Sequence, residues 1–192
     1  MCKYINQIDT KTKFIILMHP KESRKIKNGT GRLTNKSLKN SEVYIGIDFS
    51  NNQKINDIIN NKDNECYILY PGLKSISLNE EKIKTDKNIV LFLIDSTWPC
   101  SKKIIRLSKN LKDLKKISFT SKKISEFKIK TQPNSYCLST IETTQYVLEL
   151  LNNQNIENLD TQSIENFIKP FNKMVEYQLN YVNVENKPRY KR

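Results

Sequence analysis

Residues 89–94, Ile-Val-Leu-Phe-Leu-Ile, form an unbroken apolar run that stops at Asp95, and no other stretch limits the fold so tightly. The run is too short for a buried helix, and its β-branched residues favour a strand. Side chains alternate along a strand, so a run with no polar position is covered on both faces. That is the situation of a parallel strand with helices packed above and below its sheet.

The rest of the chain supplies the partners for such a sheet. Residues 14–18 (Phe-Ile-Ile-Leu-Met), 43–49, 66–70 and 117–120 read as further strands. Ile55, Ile58 and Ile59 suggest a short helix. Ile104, Leu107, Leu111 and Leu114 recur at helical spacing behind Pro99, which suits a first helical turn, and predict a helix over 99–116. Ser139 and Glu142 form a capping box that opens a helix to residue 151, with Ile141, Tyr146, Val147, Leu150 and Leu151 inward. A third helix is expected over 161–182, and a basic tail over 186–192. Residues 20–40 are polar and basic, with no assigned element. Strand and helix alternate, so the expected class is α/β, with a mostly parallel sheet flanked by helices in one domain over 1–192.

The chain carries 33 Lys plus Arg against 20 Asp plus Glu, a net charge of +13, which points to a polyanionic partner. Codon bias raises lysine but does not remove acids, so nucleic acid is the favoured partner over an anionic membrane surface. No stretch approaches the roughly 18 apolar residues of a membrane span, and no amphipathic helix has an aromatic-rich face. Residues 1–13 lack an apolar secretory core. Cys2, Cys66, Cys100 and Cys137 are scattered with no C-x-x-C pair, which argues against a disulfide framework and a self-contained zinc site. A cytoplasmic protein is expected.

Asp95 ends its strand where open α/β sheets place their ligands, although an aspartate there also caps the following helix. His19, the only histidine, follows the first strand and serves either structure or chemistry. Gly29 and Gly31 cluster in a chain of four glycines, which implies a positive φ, a close approach or a plain turn. Tyr70, Pro71 and Gly72 close the third strand. The 99–116 helix carries Lys102, Lys103, Arg106, Lys109, Lys112, Lys115 and Lys116 against the single acid Asp113, a face suited to phosphates. The loop 132–140 runs into a helix N-terminus, whose free N–H groups suit a carboxylate or a phosphate.

Together these motifs resemble the DTW-domain family, whose Asp-x-Thr-Trp signature is matched by Asp95, Thr97 and Trp98, followed by Pro99. His19, Pro20 and Glu22 resemble its His-Pro-x-Glu element. Residues 28–33 resemble Asn-Thr-Gly-Arg-Leu with one extra glycine, and Leu138, Ser139, Thr140 and Glu142 resemble Leu-Ser-Thr-x-Glu. The elements occur in family order, and the resemblance covers residues 14–190. It implies a tRNA-uridine aminocarboxypropyltransferase with a SPOUT-like fold and a C-terminal trefoil knot. Such an enzyme moves the 3-amino-3-carboxypropyl group of S-adenosyl-L-methionine to N3 of a tRNA uridine and releases methylthioadenosine. Many members begin with a cysteine-rich segment; residues 1–12 resemble a short remnant of it with at most Cys2, so no metal is expected.

The resemblance gives each motif a role. Asp95 becomes the group that takes or steers the uridine N3 proton. Leu69, Tyr70, Pro71, Gly72, Leu138, Ser139 and Thr140 become the donor-binding segments. Thr97 and Trp98 shape the pocket, or Trp98 stacks on the target base. Lys21, Arg24, Lys27, Arg32, Lys102 and Lys103 become phosphate contacts. An RNA methyltransferase of the same fold and a non-catalytic RNA-binding protein are the alternatives. The oligomeric state is not legible in the sequence.

Overall fold

The computed structural model describes residues 2–25, 29–121, 123–129 and 137–180, with the backbone alone for residues 2 and 25. Six strands form one sheet: β1 (Lys13–Met18), β2 (Ser41–Ile45), β3 (Asn64–Leu69), β4 (Ile76–Ser77), β5 (Asn88–Asp95) and β6 (Lys115–Ser118). Their spatial order is β2-β1-β5-β3-β6-β4, and every neighbouring pair is parallel. The α/β class with a parallel sheet is therefore as expected.

The apolar run is the centre of the molecule. Ile89, Leu91 and Leu93 join one core cluster, while Val90 and Phe92 join the other. In β1, Phe14 and Ile16 face the first cluster and Ile15 and Leu17 the second. Three helices cover the first face: α2 (Thr30–Ser37), α6 (Thr140–Asn153) and α7 (Thr161–Leu179), contributing Leu33, Val147 and Phe167 among others. The second face is covered by α3 (Gln53–Asn60), α4 (Trp98–Leu107) and α5 (Lys109–Lys112), through Ile55, Ile104 and Leu111. Each of these fully buried side chains contributes roughly 1.5–3 kcal/mol relative to exposure.

Several boundaries differ from expectation, each for a local reason. The 20–40 segment holds α1 (Pro20–Lys25) and α2, whose inward face is Gly31, Leu33, Thr34 and Ser37. Small and hydroxyl residues there leave almost no apolar periodicity to read. The second strand runs over Ser41–Ile45 and not 43–49. Beyond it, Gly46 donates to the Met18 carbonyl, and Phe49 enters the second core from a loop. The basic helix is not continuous over 99–116: buried Ser108 interrupts it and accepts the Phe49 N–H at 3.0 Å. Lys115 and Lys116 consequently belong to β6, where Lys115 pairs with Glu65. The two-residue β4 has no counterpart among the expected strands. The last helix ends at Leu179, and the expected basic tail lies outside the described residues.

The strand order fixes where a ligand can approach. From β1 the chain leads to β2 on one side of the sheet; from its neighbour β5 it leads by α4 and α5 to β6 on the other. At the carboxyl ends of β1 and β5 the chain thus departs in opposite directions, the general location of ligand sites in open α/β sheets.

Candidate active site

Alternation along β5 assigns Asp95 its surroundings. Ile89, Leu91 and Leu93 face α2 and α6, so the carboxylate two residues on projects beneath the first turns of those helices. It is 7% exposed, and the Thr140 hydroxyl at the start of α6 donates to its Oδ1 at 2.6 Å. A Cβ placed on Gly31 of α2 would lie 2.3 Å from its Oδ2. Gly31 therefore marks a close approach of helix to carboxylate; none of the described glycines has a positive φ.

The Leu-Ser-Thr-x-Glu segment forms the expected capping box. Glu142 is buried and accepts the Ser139 backbone N–H at 2.8 Å. It also accepts the Ser125 hydroxyl at 2.9 Å and the Glu126 N–H at 2.7 Å. One carboxylate thus anchors the start of α6, and with it Thr140, to the preceding loop.

Beside Asp95 opens a cavity of about 490 Å³ over the carboxyl ends of β5, β3 and β6. Leu69, Tyr70 and Pro71 form one wall, and Leu138, Thr140 and Thr143 form another. Leu93, Ile94 and Ile117 provide apolar surface from the strands. Trp98 lies 47% exposed at the mouth, edge-on to Tyr70 with ring centroids 6.3 Å apart. Asp95 is behind the wall, one hydrogen bond from the cavity through Thr140.

Of the expected donor-binding residues, Leu69, Tyr70, Pro71, Trp98, Leu138 and Thr140 meet around this space. Gly72, Thr97 and Ser139 are their chain neighbours and do not line it: the Gly72 carbonyl holds Ser75, and the Thr97 carbonyl accepts from Ser101. Ser96, Ser101, Phe119, Cys137 and Thr143 line the cavity without having been expected. Ser96 and Ser101 share a 2.8 Å hydrogen bond between strand end and α4. Position inside the Asp-x-Thr-Trp segment was the one available signal for Ser96.

The positively charged residues divide into two kinds. Lys21, Arg24, Lys102 and Lys103 are exposed on α1 and the start of α4. Arg32 is half-buried; its Nη2 donates to the Ser23 hydroxyl at 2.9 Å and so ties α2 to α1. Lys27 lies outside the described residues. Among those described, no group of three or more His, Cys, Asp or Glu is placed to hold a metal ion, and no helix is long and apolar enough to cross a membrane.

His19 stands on the other side of Asp95, 5% exposed. Its pKa is held below the ordinary value by burial first, then by Lys21 and Lys103, with Glu22 opposing. A histidine whose folded pKa is depressed contributes stability that is present above its unfolded value near 6.5 and lost as pH falls through the folded one. Denaturant melts taken from pH 7 down to 5 are expected to show falling stability, and His19→Asn is expected to flatten that slope. An unchanged slope in the variant assigns the acid sensitivity to other groups.

A DTW domain model matches residues 1–179. The chain is similar to tRNA-uridine aminocarboxypropyltransferase 2 of Drosophila melanogaster, 30% identical over 177 residues that span 91% of this chain and 67% of that protein. It is also similar to the proteins of the same name from Mus musculus and Macaca fascicularis, 25% and 24% identical over 187 residues, covering 94% of this chain and 60% of each relative. The chain thus spans about two thirds or less of the length of these curated relatives. No solved structure matches it.

Proposed function

Because this chain belongs to the DTW-domain family, we propose that it is a tRNA-uridine aminocarboxypropyltransferase working in the cytoplasm on a fold related to the SPOUT enzymes. The reaction transfers the 3-amino-3-carboxypropyl group of S-adenosyl-L-methionine to N3 of a uridine in tRNA. One observation carries this reading: the signature carboxylate accepts a hydrogen bond from the Thr140 hydroxyl, and Thr140 lines a partly apolar cavity over the carboxyl ends of the strands.

The cavity suits the donor in size and chemistry. Its volume of about 490 Å³ lies within the range of small-molecule sites, and strand ends, aromatic rings and a helix start surround it. Tyr70, Pro71 and Leu138 hold the adenosine, and the positive end of α6 near Thr140 receives the methionine carboxylate. The donor supplies an electrophilic carbon next to its sulfonium: the N3–C bond forms as the C–S bond breaks, and the electron pair leaves with sulfur as methylthioadenosine.

The chain's own residues do the rest. Uridine N3 is a poor nucleophile while protonated; Asp95 stands behind Thr140, so the Thr140 hydroxyl takes the N3 proton as the new bond forms and passes its own to the carboxylate. Thr140 fixes the rotation of that carboxylate through Oδ1. Burial of Asp95 excludes water that would otherwise compete for the proton. Trp98 and Tyr70 shape the mouth, and the exposed lysines of α1 and α4 hold tRNA phosphates.

Incubation of the protein with unmodified tRNA and the donor tests the reading. Methylthioadenosine and an aminocarboxypropylated uridine are the expected products. S-adenosylhomocysteine in place of methylthioadenosine would make the protein a methyltransferase; donor binding too weak for calorimetry would make it an RNA-binding protein without this chemistry.

A further inference from the structure

The mechanism above leaves one buried titratable side chain at the carboxyl ends of β1 and β5 without a task, the chain's single histidine. In the β1–β5 register Met18 faces Asp95, and the His19 backbone N–H donates to the Asp95 carbonyl at 3.1 Å. The imidazole is thereby placed one residue beyond the partner of the reactive carboxylate. Strand β1 lies on the far side of β5 from β3 and β6, over whose ends the donor cavity extends, and alternation after Ile15 and Leu17 turns His19 toward the α4 face of the sheet edge. The strand order thus divides the site, with Asp95 between a cavity on one flank and His19, Lys21 and Lys103 on the other.

The ring's proton is assigned by a contact. His19 Nδ1 accepts the Lys21 backbone N–H at 3.1 Å, so in the neutral ring the proton resides on Nε2. Nε2 has no hydrogen-bond partner among the described residues. The Nδ1 contact caps the start of α1, and a cap requires only an acceptor, which Asn, Asp or Ser provides as well. Histidine offers more than a cap needs, namely a second polar atom. Lys21 and Lys103 oppose a further positive charge on the ring while Glu22 favours it, and burial outweighs all three. The side chain is a neutral N–H donor in a cationic surround.

We propose that His19 donates its Nε2–H to a carbonyl oxygen flanking N3 of the target uracil. The inference rests on the transferase reading given above. Loss of the N3 proton spreads negative charge onto both flanking oxygens, and a donor already oriented there stabilises that charge without reorganising. Lys21 and Lys103 strengthen the effect by their charge. His19 would then act on the base while Asp95 acts on its proton, each from its own strand end.

Two variants separate this role from capping. His19→Asn keeps an acceptor for the Lys21 N–H and is expected to melt like the wild type at neutral pH and to bind tRNA normally. Its kcat is expected to fall at least about 100-fold, the lower end of what one such donor contributes. His19→Gln reaches further along the side chain and is expected to recover part of the loss. Wild-type turnover in His19→Asn would reduce His19 to a cap and overturn the proposal.

An independent readout uses the fact that there is one histidine to label. In protein carrying ¹⁵N-histidine, the Nε2–H tautomer is expected, and the Nε2 resonance is expected to move when an unmodified tRNA transcript is added without donor. A resonance that stays fixed while tRNA binds overturns the contact. A resonance that moves in a protein yielding no methylthioadenosine removes the transferase reading and leaves the contact standing.

Discussion

Asp95→Asn is expected to lower methylthioadenosine release in the presence of tRNA by at least about 100-fold, since a positioned general base contributes roughly 10²–10⁴. The amide has the shape of the carboxylate and still offers an oxygen to the Thr140 hydroxyl, which now sits 2.6 Å from Oδ1. The fold and the donor cavity should therefore survive, and calorimetric binding of S-adenosyl-L-methionine should change little. What the amide lacks is a site for the N3 proton. Single-turnover product release with circular dichroism as the folding control checks the point. Turnover within a few-fold of the wild type would leave Asp95 a structural partner of Thr140 and move the proton to another group.

The second large effect is expected at Gly31→Ala, where two physical tendencies oppose. Alanine in a helix interior is ordinarily better than glycine by roughly 0.5–1 kcal/mol. Here the new methyl would meet Asp95 Oδ2 at 2.3 Å, Cγ at 2.5 Å and Cβ at 3.0 Å. Rotating the carboxylate clears the first two contacts but not the third, so α2 must shift as well. Overpacking of this kind costs about 1–3 kcal/mol, and the net expectation is a destabilisation of about 1–2 kcal/mol. At roughly 2–4 °C per kcal/mol for a chain of this size, thermal melts will resolve it. Activity should fall further than stability, because the displaced carboxylate loses Thr140. Removing the obstacle makes the test specific: in an Asp95→Gly background, which lacks the Cβ as well as the carboxylate, the stability penalty of Gly31→Ala should largely vanish. A penalty that persists there would place the clash elsewhere.

Much of this arrangement was legible in the chain. The unbroken run before Asp95 required cover on both faces, and counting residues by twos from Leu91 assigns Asp95 to the face of α2 and α6. Ser139 and Glu142 announced the start of α6, and the four motif segments do converge on Asp95, with Thr140 and Gly31 at its carboxylate and His19 at its backbone carbonyl. The rest depended on contacts distant in sequence. The break at Ser108 needs the Phe49 N–H from 59 residues away, which no local pattern records. Helix α2 buries a glycine and two hydroxyl residues, so it lacks the apolar stripe by which helices are recognised. Phe119 reaches the cavity because β6 lies beside β3, an adjacency set by strand order alone, and Cys137 because it leads into α6, whose start lines the same space.

That same order bears on how the chain acquires its structure. Strand β3 has only β5 and β6 as neighbours, both later in the sequence, and β1 must wait for β5 to complete its second ladder. When residues 1–87 have emerged from the ribosome, a two-strand β1–β2 pair is the only part of the sheet available, and its apolar flanks are bare. Loop closure over such separations is slow, and exposed strand edges invite association between copies. The nascent first half is therefore the stage at which this protein has most need of a chaperone, and emergence of residues 88–95 is the step that ends it.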